Sequence, residues 1–300
     1  MEVFVTGGSG YIGSALVVEL LGAGHHVVGL ARSDEAGAAL TAAGAKVHRG
    51  SLEDLESLRR GAAAADGVAH LAFDNTGMLT DYIGAAQADL AAVETIGAAL
   101  EGSGKPFVMT SGTLLLSLAA ANRTGTEDVV ADSSLPRAAS ENAVIAMAER
   151  GVRSSVIRLP PTVHGQGEQG FIPTLIGIAR ETGVSGYVGD GSNRWPAVHR
   201  LDAAHLYRLA LESAPAGTRL HAAAEEGIAL REIAEAIGAG LGVPVERIPD
   251  ERASEHFAFL FLPLSLDNPT SSQLTRELLG WEPELPTLLE DIAAGFYFKE

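Results

Sequence analysis

No cysteine occurs in the 300 residues, which excludes disulfides, zinc–thiolate centres and cysteine nucleophiles. Positive charge is scarce too. Lys and Arg number 21 against 38 Asp and Glu, a formal net charge of −17. Such a chain repels a polyphosphate, so nucleic acid is not expected as a partner. An anionic small ligand would need locally placed cations, which turns attention to the few arginines. No apolar run approaches the ~20 residues of a membrane helix. The most apolar stretch, Phe257 to Leu266, is short and contains Pro263. The chain opens directly on a strand pattern, so no signal peptide and no membrane anchor are expected, and the expected location is cytoplasmic. What is present is apolar: 46% of residues, with only 20% charged, enough to build a substantial core. The length suits one large domain or two lobes.

The N-terminus carries the clearest motif. Glu2 to Thr6 is a β-branched and aromatic run, the pattern of a buried strand. It leads into Thr6-Gly7-Gly8-Ser9-Gly10-Tyr11-Ile12-Gly13. Ile12, Leu16, Leu20 and Leu21 then recur at helical spacing until Gly22 and Gly24 stop them. His26 to Ala31 reads as the next strand. Strand, glycine turn, helix, strand is the first unit of a nucleotide-binding α/β fold. Glycine serves twice here: the turn needs unusual backbone angles, and a side chain would hold a pyrophosphate away from the N–H groups of the helix start.

The alternation continues. Strand-like runs lie near 45–48, 67–71, 106–110 and 153–159. Helical patterns run over Leu52 to Gly61, Met78 to Leu100 and Leu135 to Arg150. The expected class is α/β, a Rossmann-type doubly wound parallel sheet with a smaller C-terminal substrate lobe. Residues 1–165 form the expected dinucleotide-binding domain, joined by a return segment at about 196–223 with a strand at Leu220 to Ala223. Residues 166–195 and 224–300 form the expected lobe.

The segment TGGSGYIG at the extreme N-terminus resembles the short-chain dehydrogenase/reductase superfamily. GHHVVGLARS, RGSLED, GVAHLAF, KPFVMTSG, RLPPTVHG, WPAVHRLDAA and LGWEPE follow in order and spacing similar to its extended branch, the NAD-dependent epimerase/dehydratase-like proteins. The resemblance implies a dinucleotide cofactor held by Gly7, Gly10, Tyr11, Ile12 and Gly13. Ser51 and Leu52 would lie beside the adenine. Leu71 and Ala72 would line the cofactor after the fourth strand, and Pro160 and Val163 would lie on a loop over the nicotinamide. NAD enzymes place an acid at the end of the second strand; here Ala31 stands there, followed by Arg32 and Ser33. A guanidinium and a hydroxyl suit a 2′-phosphate, so NADP is expected over NAD, with NAD still open. Asp34 is a competitor that either pairs with Arg32 or caps the next helix.

The same resemblance implies a Ser or Thr after the fifth strand, then a Tyr and, four residues on, a Lys. Ser111 fits the hydroxyl. The other two slots hold Arg137 and Glu141. Arginine stays protonated and cannot act as a general acid. At i and i+4 on one helix the two are expected to pair, as a structural ion pair or as part of a substrate carboxylate clamp. His164 and His199 are the substitute acids, because imidazole titrates near neutrality. The expected catalytic group is Ser111 with His164, and Arg137 beside them; His199 is expected to brace the lobes. The expected function is an atypical NAD(P)-dependent oxidoreductase of a small carbonyl or alcohol. The alternatives are a catalytically silent NADP(H)-binding sensor and a sugar-nucleotide epimerase or dehydratase. No metal is expected, and a homodimer stays open.

Overall fold

The computed structural model describes residues 1–74, 80–119 and 123–299. Seven strands form one sheet with all neighbours parallel: β1 (Glu2–Thr6), β2 (His26–Ala31), β3 (Lys46–Arg49), β4 (Gly67–His70), β5 (Pro106–Gly112), β6 (Arg153–Leu159) and β10 (Thr218–His221). Their spatial order is β10-β6-β5-β4-β1-β2-β3. The inner strands are apolar without alternation because helices cover both faces; β4 is buried at every position. The chain runs outward from β1 to β3, then crosses back to place β4 on the other side of β1. The strand ends diverge at that reversal, where a crevice opens beyond the carboxyl ends of β1 and β4.

The six expected strands are all present. The return strand is Thr218–His221, starting two residues before its expected position. The helix expected over Met78 to Leu100 is seen as Tyr82–Leu100; residues 75–79, where it was expected to begin, lie outside the described residues. The pattern read over Leu135 to Arg150 is an α-helix over Pro136–Ala146 tightening into a 3₁₀ turn at Met147–Arg150.

Two smaller sheets follow: β7 (Thr162–His164) pairs with β9 (Arg194–His199), which pairs with β11 (Glu225–Ala229), and β8 (Ser185–Tyr187) pairs with β12 (Val245–Arg247). Sequence periodicity missed these five, because runs of three to six residues carry too little alternation to register. Apolar side chains gather into three cores. Two lie on the two sides of the large sheet, one around Leu16, Val108 and Tyr207, the other around Phe4, Ile96 and Met109. The third joins Ile172, Trp195, Ile237 and Leu288, drawn from residues 171–298 alone.

Candidate cofactor groove and active-site corner

A groove of about 510 Å³ occupies the crevice. Gly7, Gly10, Tyr11, Ile12 and Gly13 line it together with Arg32, Ser51, Leu52, Leu71 and Ala72. Each glycine has its own reason. Gly7 has φ +72°, and a Cβ there would stand 2.8 Å from the Ala72 nitrogen. A Cβ on Gly13 would stand 2.0 Å from the Gly7 carbonyl oxygen, so only glycine lets the helix Tyr11–Gly22 seat against the loop. Gly10 is the N-cap of that helix, and no side chain caps it. The first-turn N–H groups therefore await an acceptor, which a pyrophosphate supplies. The donor set and the cradle fit a dinucleotide.

The second-strand end carries no acid. Ala31 is buried, and Arg32 is exposed on the groove rim with no ion pair among the described residues. Asp34 does not take Arg32: it pairs with Arg49 at 2.7 Å, and Arg49 also donates to the Ser33 carbonyl. Ser33 caps the next helix by accepting from the Ala36 N–H at 3.2 Å, and its side chain does not line the groove.

The catalytic corner departs from expectation. Arg137 and Glu141 do not pair. Glu141 is wholly buried and bridges two other arginines: Arg158 by two contacts, one at 3.0 Å, and Arg219 at 3.0 Å. Burial pushes the Glu141 carboxyl up, but the bonds from Arg158, Ser111 and Arg219 outweigh it and hold the pKa below the carboxylate range. Helical spacing brings two residues to one side, but each then takes the stronger partner within reach. For Glu141 that partner is a buried guanidinium from the adjoining strand β6. Arg158 also contacts His221, whose pKa burial and the same guanidinium push down to about 3. Ser111 donates its hydroxyl to Glu141 at 2.8 Å, so its proton is committed.

Arg137 does not line the groove but touches two residues that do. Its guanidinium sits 4.0 Å over the Phe73 ring and donates to the Thr110 carbonyl at 2.9 Å; Phe73 and Thr110 both line the groove. Its Nη1 is 3.5 Å from Asp89, which is 1% exposed. Burial raises the Asp89 carboxyl, but the bond from His70 and the charge of Arg137 overcome it and lower the pKa. His70 bridges Asp89 and Thr6 at 3.4 and 2.9 Å. Sequence reasoning missed Asp89, although a carboxylate in the Ala-rich helix Tyr82–Leu100 was a legible signal.

His164 is not at this corner. It is 1% exposed on β7, and its Nδ1 is 2.7 Å from Asp291, a residue more than a hundred positions away that no sequence motif marked. Burial lowers the imidazole pKa despite that carboxylate. Ser111 and His164 thus face separate buried carboxylates, and neither lines the groove. His199 stands edge-on to His164 with ring centroids 5.5 Å apart, and its Nδ1 accepts from the Leu201 N–H at 3.3 Å as an N-cap. Pro160 is buried and Val163 packs on the first core; Leu159 is the residue of that segment that lines the groove. Tyr11 lines the groove and donates to the Gly165 carbonyl at 3.0 Å. Among the groove's lining residues Tyr11 is the sole tyrosine, and there is no lysine.

The chain is similar to known proteins over most of its length. The chain is 49% identical over 299 residues to "Uncharacterized protein C2A9.02" of Schizosaccharomyces pombe, covering 99% of this chain and 100% of that one. It is 28% identical over 258 residues to 2-alkyl-3-oxoalkanoate reductase of Stenotrophomonas maltophilia, covering 81% and 77% of the two chains. Its fold matches a dTDP-glucose 4,6-dehydratase of Streptomyces venezuelae, solved with NAD and TYD bound. The TM-score is 0.77 at 20% identity, over 99% and 97% of the chains, a likeness of fold. The pattern of the NAD dependent epimerase/dehydratase family matches residues 3–223, and the chain belongs to that family.

Proposed function

We propose that this protein is an NADP(H)-dependent oxidoreductase of a small carbonyl or alcohol that works without a tyrosine–lysine pair. The open groove over an intact glycine loop carries the reading. Its rim offers Arg32, with no ion pair among the described residues, next to Ala31, which stands where an acid would select NAD. A bound nicotinamide would supply or accept hydride. The first-turn N–H groups would hold the pyrophosphate, and Arg32 would bind the 2′-phosphate by charge-assisted hydrogen bonds. Ser111 is buried behind the groove wall with its proton given to Glu141, so it takes no part in the proton exchange. His164 is tied to Asp291, so the proton exchanged at the substrate oxygen comes from water. Carbonyl reduction is favoured over sugar epimerisation because epimerisation needs a built proton relay, and the groove is lined by neither a lysine nor a histidine.

The missing acid has a cost. A positioned general acid contributes ~10²–10⁴-fold, so turnover should be slower than a tyrosine-equipped relative by about that factor. Mixing the protein with NADPH and a panel of ketones and oxo acids, and following reduced-nicotinamide absorbance, tests this. Slow oxidation that survives His164→Gln is expected. Fast oxidation abolished by His164→Gln would contradict it. A second reading, a catalytically silent NADP(H)-binding protein, is favoured by one observation: the corner beside Ser111 is filled by the Arg158–Glu141–Arg219 cluster. Tight NADPH binding with no oxidation of any substrate would support that reading instead.

A further inference from the structure

The loop after β7 is seized from two directions. From the glycine loop, the Tyr11 hydroxyl donates to the Gly165 carbonyl at 3.0 Å. From the C-terminal turn Phe296–Phe298, the Tyr297 hydroxyl accepts from the Gly165 N–H at 3.2 Å and donates its own proton to Glu168. The two phenols thus hold the two polar groups of one residue. Space at that residue is minimal. Gly165 has φ +130°, and a Cβ there would stand 3.1 Å from the Tyr11 hydroxyl and 3.0 Å from the His199 ring. Arg200 closes the remaining side, with its guanidinium 5.0 Å from the Tyr11 ring centre and a bond to the Gln166 carbonyl. Glu168 is out of the ordinary as an acceptor: burial pushes its carboxyl up to about 7, against the bond from Tyr297.

We infer that Tyr297 and Glu168 are positioning residues for cofactor binding, holding Tyr11 and the glycine loop in place through Gly165. Tyr11 is the only one of these side chains that lines the groove. Its phenol cannot swing while Gly165 is pinned, and Gly165 is pinned from its other side by a turn more than a hundred residues away in sequence. Tyr297 also packs on the third core, so the clasp ties the packing of residues 171–298 to the shape of the cofactor site. The role in cofactor binding rests on the dinucleotide reading of the groove. The mechanical link does not.

The test is a double-mutant cycle on Tyr11→Phe and Tyr297→Phe, with two readouts. The first is amide hydrogen exchange over residues 9–13 of the protein without cofactor; the second is NADPH affinity. Tyr297→Phe keeps the ring in the core and removes only the hydroxyl. It should speed exchange over residues 9–13 and weaken NADPH binding by about 2- to 10-fold, the worth of one net hydrogen bond. The double variant should be no worse than the worse single, because both break one chain. Glu168→Gln retains an acceptor for the phenol and should stay near wild type, whereas Glu168→Ala should reproduce Tyr297→Phe. Unchanged exchange over residues 9–13 in Tyr297→Phe, or additive effects in the double variant, would overturn the inference. Transmitted exchange in a protein that binds no nicotinamide dinucleotide would uphold the clasp and remove the cofactor reading instead.

Discussion

Glu141 decides what can be done at the catalytic corner. It is a fully buried carboxylate between two guanidiniums, with Ser111 as a third donor. Removing one member of a buried ion pair leaves its partner uncompensated, at a cost of about 3–5 kcal/mol. Glu141→Gln should therefore lose that much stability in denaturant unfolding at neutral pH. Glu141→Lys, which would rebuild the lysine of the resembling enzymes, should fail to fold, because it sets three cations side by side. The pH dependence has a definite sign. The folded pKa of Glu141 lies below the unfolded one, so its stabilisation is present above the ordinary carboxylate range and is lost as pH falls through the depressed value. Wild type and Glu141→Gln should converge in stability in acid. A Glu141→Gln protein as stable as wild type at pH 7 would show that the cluster carries no energy.

The elements divide into those that sequence patterns reveal and those that they cannot. The strand–glycine–helix unit was legible because each link has a local cause: a buried run, a turn requiring φ > 0 at Gly7, and a helix that must approach Gly7 within a Cβ's reach at Gly13. Ser51, Leu52, Leu71 and Ala72 followed from the resemblance to the family, and Arg32 from its place after the second strand; all five line the groove. The side-chain partners of the helix Pro136–Ala146 did not follow. Spacing placed Arg137 and Glu141 together, yet Arg158 on β6 and Asp89 on the helix Tyr82–Leu100 claim them from across the packing layers. Those contacts depend on tertiary placement, and no local pattern encodes them. The partner of His164 was hidden for the same reason, since Asp291 lies in another element. The glycine unit gives the test at this scale. A Cβ on Gly10 meets only the Gly7 carbonyl oxygen, at 3.2 Å, a contact the loop can relieve by a small shift. Gly10→Val should therefore fold, as read by circular dichroism, and lose dinucleotide affinity by at least about 10-fold, because its branches stand where the pyrophosphate must approach. Unchanged affinity in a folded Gly10→Val protein would place the ligand elsewhere.

At the scale of the molecule, an excess of 17 negative charges confronts an anionic cofactor. Long-range repulsion must be overcome by short-range donors, and the groove offers two kinds: uncapped N–H groups at the start of the helix Tyr11–Gly22, and Arg32 at the rim. The first kind serves any dinucleotide; the second is the one proposed to meet a 2′-phosphate. No helix among the described residues is long and apolar enough to cross a membrane, and no His/Asp/Glu grouping among them could hold a metal ion. Dinucleotide binding at the β1–β4 crevice rests on the glycine loop and the family match. Calorimetric titration of NADPH and NADH into wild type and Arg32→Ala, at one fixed salt concentration, tests it most directly. The account predicts that wild type binds NADPH at least about 10-fold more tightly than NADH, the worth of charge-assisted hydrogen bonds to the phosphate. Arg32→Ala should erase the difference while leaving NADH affinity in place. Equal affinities in wild type, or a preference for NADH, would contradict it.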